Sequence, residues 1–186
     1  MKTLFINACV RKESRTLELA KYLLNRLEGE VTQINLQQEN IEPLKEETLA
    51  KREELLRKQK FEDVSFRYAR TFAEADEIVI AAPFWDLSFP ALLKIYLENV
   101  TVSGITFTYE DGVPKGLCHA KRLFYVTTAG GPIFADFGYS YVKTLAESFY
   151  GIKKTICYKA QNLDVDGVDV DTVLMQAREQ MKNTLE

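Results

Sequence analysis

Five short apolar segments recur along the chain, and each has the pattern of a buried β-strand. Leu4 to Ile6, Ile78 to Ala82 and Leu123 to Val126 are almost continuously apolar, as strands covered on both faces of a parallel sheet usually are. Val31 to Leu36 alternates apolar and polar residues, which is typical of a strand near the edge of a sheet. Thr155 to Tyr158 is predicted to form the last strand.

Between these strands, apolar residues recur at helical spacing. Ser14 can cap a first helix that ends at Gly29, and Gly151 closes a later one. The final helix begins at Asp169 or Asp171. The apolar positions predicted for the four amphipathic helices are Leu17, Ala20, Leu24 and Leu27; Phe66, Ala69, Phe72 and Ala73; Phe137, Tyr141, Leu145 and Phe149; and Val173, Leu174, Ala177 and Met181.

Strands that alternate with helices indicate a parallel sheet with helices on both faces. Residues 45–60 carry both charge signs around a few leucines and are predicted to form an exposed helix, and residues 105–112 to form a hairpin. We therefore predict an α/β fold, a flavodoxin-like three-layer α/β/α sandwich with a five-stranded parallel sheet in the order 2-1-3-4-5. A chain of 186 residues suits one domain, residues 1–186.

Composition excludes several classes of protein. The chain is 46% apolar and 27% charged, as in ordinary soluble globular proteins, and its net charge of −3 gives no basis for binding nucleic acid or an anionic membrane. No apolar run approaches the roughly 18 residues of a membrane span. Cys9, Cys118 and Cys157 are widely spaced, which fits reduced thiols better than a disulfide framework or a zinc site. We predict a cytoplasmic protein without a metal site.

Ligands of open α/β sheets bind beyond the carboxyl ends of the strands, where the winding reverses, and three loops meet that condition here. Residues 7–16 lead into a helix N-terminus, where free amides favour an anion and Arg11 can pair with a phosphate. An N-cap at Ser14 with solvated arginines explains the same residues equally well. The loop contains neither a Walker motif nor a GxGxxG motif.

The other two loops also permit two interpretations each. Residues 83–89 place Phe84 and Trp85 at a strand end, where they either cover the core or border a flat ring. Residues 127–133 contain Gly130 and Gly131, which either allow a ligand to approach the backbone closely or make a sharp turn.

Taken together, these segments resemble a known family. The features are the ESRT loop that enters a helix, the APxxxxxxPAxLKxYxxxV segment, the hairpin GITFTYEDGVPKGL and a T[ST]xGG turn. In this order they are similar to the FMN-dependent NAD(P)H:quinone oxidoreductases of flavodoxin-like fold, in the azoreductase branch. The resemblance spans nearly the whole chain.

The resemblance implies a homodimer with FMN near the subunit interface. It implies transfer of two electrons from NADH or NADPH to quinones or azo compounds by a ping-pong hydride mechanism, with no catalytic side chain because the flavin carries the chemistry. Carried onto this sequence, it implies that the FMN phosphate is held by Arg11, Ser14, Arg15 and Thr16; that the ring is bordered by Pro83, Phe84, Trp85, Asp86 and Leu87; and that its pyrimidine side is completed by Thr128, Ala129, Gly130 and Gly131.

The chain departs from the family at a few positions. Asn7 to Cys9 stands where relatives more often have serine, and Asp86 replaces a usual asparagine. If only the main-chain N–H of Asp86 meets the ring, little changes; if its carboxylate faces the ring, it disfavours the anionic reduced flavin and lowers the potential. Cys9 either has a lowered pKa beside the phosphate or is a buried structural thiol. His119, the single histidine, is given no catalytic role.

Two other functions remain open at this point. One is a flavodoxin-type electron carrier, which binds FMN without substrate chemistry of its own, and the other is a flavin-poor binding or regulatory relative. The chain lacks the TxTGxT loop and the strong acidity of the carriers, and its hairpin after Gly104 resembles the reductases. These features favour the reductase.

Overall fold

The structure, a computed structural model, describes residues 1–185 and contains one five-stranded sheet and one separate hairpin. The strands in chain order are β1 (Lys2–Asn7), β2 (Glu30–Asn35), β3 (Glu77–Ala81), β4 (Phe107–Glu110), β5 (Val113–Gly116), β6 (Arg122–Thr128) and β7 (Lys154–Ala160). The main sheet has the order β2-β1-β3-β6-β7, and all its neighbouring strands are parallel. With the hairpin strands β4 and β5 set aside, this is the predicted order 2-1-3-4-5.

Helices cover both faces of the sheet. They are α1 (Arg15–Leu24), α2 (Glu46–Arg57), α3 (Arg67–Glu74), α4 (Ala91–Val100), α5 (Tyr139–Leu145) and α6 (Val170–Leu185), with a 3₁₀ turn before α3 (Val64–Phe66) and a π-helical turn after α5 (Ala146–Tyr150). Buried residues of α3, α4, α5 and the π-helical turn pack on one face, and those of α1 and α6 pack on the other. The predicted three-layer sandwich is confirmed. No helix within residues 1–185 is long and apolar enough to cross a membrane.

The buried face of α1 differs from the predicted one. The helix buries Thr16, Leu19, Ala20 and Leu23, so of the four predicted core positions only Ala20 is fully buried. Leucines lie on two adjacent faces of this helix, and apolar spacing alone did not decide which face meets the sheet. The helix also ends at Leu24, before Gly29. Gly29 instead has a φ of +101° and lies so close to Met1 that a Cβ would be 2.0 Å from the Met1 carbonyl oxygen.

The last two helices begin where an aspartate accepts main-chain N–H groups. Asp136 Oδ1 accepts the N–H groups of Gly138 (3.0 Å) and Tyr139 (2.8 Å), and α5 starts at Tyr139. Phe137 therefore precedes the helix and is exposed, so its predicted place on the helix was wrong. Asp169 Oδ1 accepts from Asp171 (3.1 Å) and from Thr172, which decides between the two predicted starts of α6 in favour of Asp169.

The predicted exposed helix and the predicted hairpin are both present. Helix α2 has no buried residue. The strands β4 and β5 are antiparallel and joined by Asp111 and Gly112, which both have positive φ, as in the primed turns that match the twist of a hairpin. The hairpin packs on the π-helical turn, because Gly116 meets the backbone of Tyr150 and Gly151.

Candidate functional site

A cavity of about 760 Å³ opens at the carboxyl ends of β1, β3 and β6. Its volume falls within the roughly 300–1,000 Å³ of small-molecule sites. All three predicted loops contribute to the wall, through the predicted residues Arg11, Ser14, Arg15, Thr16, Pro83, Phe84, Trp85, Thr128, Ala129 and Gly130. The predicted residues Asp86, Leu87 and Gly131 are not among the lining residues.

The first loop is shaped by side-chain caps at both ends. The buried Asn7 accepts the N–H of Cys9 on its Oδ1 at 3.0 Å, which gives the asparagine a structural role at this unusual position. Ser14 Oγ accepts the N–H of Leu17 at 3.2 Å, so the N-cap interpretation of Ser14 is confirmed. The first N–H groups of a helix lack intrahelical acceptors, and the first turn of α1 lines the cavity, so an anion is favoured at this end.

The charges in the cavity wall also favour an anion. The wall includes four basic side chains and three acidic ones, which are Arg11, Lys12, Arg15 and Lys21, and Glu13, Glu18 and Asp164. Two of the acids are paired: Glu18 with Arg178 on α6, and Asp164 with Arg15 at 2.8 Å. Arg11 and Lys12 have no ion pair within residues 1–185 and remain available to a ligand.

A hydroxyl pair joins the first loop to the end of β6. Thr16 Oγ1 lies 2.6 Å from Thr128 Oγ1, and the Thr16 side chain is buried. Thr128 belongs to β6, which extends two residues further than the sequence pattern predicted. The pair fixes the helix N-terminus against the neighbouring strand.

The second loop is a tight reverse turn. Trp85 and Ser88 exchange two main-chain hydrogen bonds of 3.1 and 2.8 Å, and the two residues between them, Asp86 and Leu87, have φ of +49° and +67°. Both values are positive, as in a type I′ turn. The exposed Asp86 carboxylate lies outside the cavity lining, whereas Trp85, 38% exposed, lies within it. This geometry favours the main-chain alternative for Asp86.

Main-chain hydrogen bonds fix this turn to the third loop. Phe84 N–H donates to the Thr128 carbonyl at 3.0 Å, and Phe137 N–H donates to the Leu87 carbonyl at 2.9 Å. The loop that carries Phe84 and Trp85 is therefore held beside the end of β6, which leads into the glycine turn.

The cavity thus combines a helix N-terminus, where an anion is favoured, with the aromatic side chains of Phe84 and Trp85. A family profile described as having a flavodoxin-like fold matches residues 1–185. The chain belongs to this flavodoxin-like family.

This flavodoxin-like protein has relatives that are similar over most of its length. It is 35% identical to the FMN-dependent NADH:quinone oxidoreductase of Lachnoclostridium phytofermentans, over 96% of this chain and 94% of that protein. It is 37% identical to a protein of the same name from Clostridium perfringens, over 91% of this chain and 90% of that one. The resemblance inferred from the motifs is confirmed.

Solved structures show the same fold. A Bacillus anthracis azoreductase superposes with a TM-score of 0.86 at 20% identity, covering 99% of this chain and 98% of that one. An FMN-dependent NADH-azoreductase from Bacillus anthracis in complex with FMN has a TM-score of 0.82 at 24% identity, covering 99% and 97%.

A fourth loop of the flavodoxin-like protein, residues 161–169 between β7 and α6, also lines the cavity, although the sequence did not predict it as part of the site. It contributes Leu163 and Asp164. No local motif marks these residues. The sheet topology identifies them, because β7 is the parallel neighbour of β6 and its carboxyl end lies at the same edge of the sheet.

Cys9 and His119 have structural surroundings. Cys9 is 4% exposed, and burial raises the pKa of its thiol to about 11, with a hydrogen bond from Ser14 opposing the rise. Cys9 is therefore a buried structural thiol, and the alternative of a lowered pKa is wrong. His119 is exposed, and its main-chain N–H donates to the Ala73 carbonyl at 2.8 Å. Within the described residues, no cluster of three or more His, Cys, Asp or Glu side chains can hold a metal ion.

Proposed function

We propose that this protein is a single-domain FMN-dependent oxidoreductase, residues 1–186, that transfers two electrons from NADH or NADPH to quinones or azo compounds. The observation that carries the proposal is the cavity, which is lined both by a helix N-terminus suited to a phosphate and by an exposed tryptophan suited to a flat ring. Relatives named FMN-dependent NADH:quinone oxidoreductases, at 35% and 37% identity over 96% and 91% of this chain, support the same cofactor and donor.

The residues present fit FMN. The first turn of α1 and the basic side chains around it suit the phosphate, and the cavity of about 760 Å³ is large enough for the ring and its ribityl chain. The proposal assigns FMN contacts to the predicted residues that line the cavity. Asp86, Leu87 and Gly131 shape the two turns that border it.

Bound FMN would supply the hydride chemistry, so the proposal requires no catalytic side chain. The chain contributes binding and orientation. Phe84 and Trp85 line the cavity and would present apolar surface to the ring, which would exclude water from that side. The glycine turn at Gly130 also lines the cavity, and its main-chain N–H groups would favour negative charge on a bound flavin.

Anaerobic titration of the purified protein tests the proposal. We expect the absorbance of oxidised flavin, its loss on addition of NADH or NADPH, and its return on addition of a quinone or an azo dye. Bound FMN that neither nucleotide reduces would identify an electron carrier instead. A protein that does not bind FMN at high concentration would be the flavin-poor relative.

The proposal includes a homodimer with the flavin near the interface. Phe134 and Phe137, 79% and 62% exposed, follow the glycine turn, and Phe137 is hydrogen bonded to the turn that carries Trp85. Large apolar side chains exposed to this extent favour an interaction surface in this segment.

Analytical ultracentrifugation measures the oligomeric state directly. We expect a mass twice the 21.3 kDa of the chain. The double variant Phe134→Ser, Phe137→Ser should shift the equilibrium toward monomer, whereas the control Met175→Gln, at an exposed position on α6, should not. A double variant as dimeric as the wild type would place the interface elsewhere, and a monomeric wild type would refute the dimer.

A further inference from the structure

Arg15 links the start of α1 to the loop between β7 and α6. Its Nη1 donates to Asp164 Oδ1 at 2.8 Å and to the Leu163 carbonyl at 3.2 Å. Both acceptors lie almost 150 positions further along the chain, and all three residues line the cavity. The contact therefore spans the cavity wall between the helix N-terminus and the fourth loop.

The acceptor side of this contact is rigidly held. Residues 162, 163 and 164 donate their main-chain N–H groups to the carbonyls of Gly131 (3.1 Å), Ala129 (3.2 Å) and Gly130 (2.9 Å). A Cβ on Gly130 would lie 2.3 Å from Asp164 Oδ2, so glycine at this position allows the carboxylate to pack against the turn. Asp164 is thus fixed by the backbone around it, and the long Arg15 side chain is the partner that adapts.

Arg15 keeps donors free for a ligand. A guanidinium carries five N–H groups, and the hydrogen bonds of Arg15 use Nη1 alone. Nε and Nη2 remain, and such a planar edge matches a phosphate. An unanchored arginine at the surface would have to lose rotamer freedom when it binds an anion, whereas an anchored one has already lost it.

We infer that Asp164 is a positioning residue that anchors Arg15 in the cavity wall and so strengthens binding of the phosphate of FMN. The inference rests on the proposed function, since it takes FMN as the ligand. Asp164 acts through Arg15 and does not itself touch the phosphate, because its two carboxylate oxygens face Arg15 and Gly130.

Calorimetric titration of the flavin-free protein with FMN and with riboflavin, which lacks the phosphate, tests the inference. The Arg15 and Asp164 side chains are 43% and 67% exposed, and exposed pairs are weak, so Asp164→Ala should raise the dissociation constant of FMN by roughly two- to fivefold. The dissociation constant of riboflavin should not change. Asp166→Ala, at an exposed acid in the same loop, is the matched control and should alter neither.

A double-mutant cycle separates positioning from a general effect on the loop. In an Arg15→Ala background, Asp164→Ala should cause no further loss of FMN affinity. Thermal unfolding shows whether Asp164→Ala is folded. If it is not, Asp164→Asn, which keeps the shape of the side chain, replaces it in the titrations.

Three results would overturn the inference while leaving the proposed function intact: FMN binding unchanged or tighter in Asp164→Ala, an equal loss of riboflavin, or a loss that persists without Arg15. A wild-type protein that fails to bind FMN would overturn the proposed function as well.

Discussion

Ser14 serves both the fold and the cavity. Its Oγ accepts the N–H of Leu17 at 3.2 Å, and its side chain also lines the cavity where an anion is favoured. A residue with two such roles needs substitutions that separate them. Aspartate caps a helix as well as serine does but brings a negative charge, while alanine removes the cap without adding charge.

Ser14→Ala should therefore affect mainly stability, and Ser14→Asp should affect mainly FMN binding. Ser14→Ala should lower the free energy of unfolding of the flavin-free protein by about 1 kcal/mol, and Ser14→Asp should leave it nearly unchanged. Ser14→Asp should weaken FMN binding by more than about tenfold, because its carboxylate would face the phosphate in a partly desolvated site. Urea unfolding and calorimetric titration measure the two effects. Wild-type affinity in Ser14→Asp would place the phosphate elsewhere.

Asp86 and Leu87 illustrate what the sequence does not reveal about single residues. A type I′ turn is signalled by Asn-Gly or Asp-Gly, and Asp-Leu carries no such signal. Leucine at a φ of +67° is unfavourable by itself and persists only because the surrounding hydrogen bonds determine the turn. The aromatic residues of this loop could be identified from the sequence, but the direction of the Asp86 carboxylate could not.

At the scale of elements, the hairpin β4–β5 is held by an approach of two backbones. Gly116 at the end of β5 meets Tyr150 and Gly151 at the end of the π-helical turn, and Cys118 N–H donates to the Tyr150 carbonyl at 3.3 Å. A Cβ at position 116 would lie 2.2 Å from the Tyr150 carbonyl carbon and from the Gly151 nitrogen. Main-chain atoms cannot move aside as the end of a flexible side chain can.

Gly116→Ala should therefore separate the hairpin from the core. We expect a loss of about 1–3 kcal/mol in the free energy of unfolding, as for other overpacked sites. Limited proteolysis should cut the hairpin turn at Asp111 and Gly112 faster than in the wild type. Lys115→Ala, one residue earlier, is the control, since it removes only an exposed ion pair with Glu110 worth less than about 1 kcal/mol. Equal stability of the two variants would show that the hairpin can shift without cost.

Elements with a continuous apolar core were predictable, and contacts between distant loops were not. The strands β1, β3 and β6 follow directly from their apolar runs. Helix α1 carries leucines on two faces: Leu17, Leu24 and Leu27 of the predicted stripe pack against the core but are only half-buried, whereas Leu19 and Leu23 are fully buried. The contact of Arg15 with Asp164 joins positions 149 residues apart and leaves no periodic signal. Only the strand order brings the two together.

At the scale of the whole molecule, buried thiols link stability to pH. Burial raises the pKa of Cys9 to about 11 and those of Cys118 and Cys157 to about 12, against an ordinary value of 9.0. The unfolded chain therefore releases these protons near pH 9, while the folded chain retains them until pH 11 to 12. Above pH 9 the unfolded state binds fewer protons than the folded state, so stability falls as the pH rises.

Between pH 9 and 10, each thiol that keeps its proton in the folded state should lower the free energy of unfolding by up to about 1 kcal/mol. Urea unfolding midpoints at pH 8, 9 and 10 measure the decline. Replacement of Cys9, Cys118 and Cys157 by alanine together should flatten it, whatever the triple variant loses in absolute stability. An unchanged slope in that variant would assign the decline to other groups.

The chain has a single tryptophan, and that residue lies in the cavity wall. The nine tyrosines, by contrast, are distributed over the molecule. Emission excited selectively from the indole of Trp85 therefore originates at one place, beside the site where we propose that the flavin ring binds. Because oxidised flavin absorbs in the range where tryptophan emits, occupancy of the cavity should quench that emission by energy transfer. The protein thus carries a built-in optical reporter of its own ligand state, which requires no label and responds before any substrate is added.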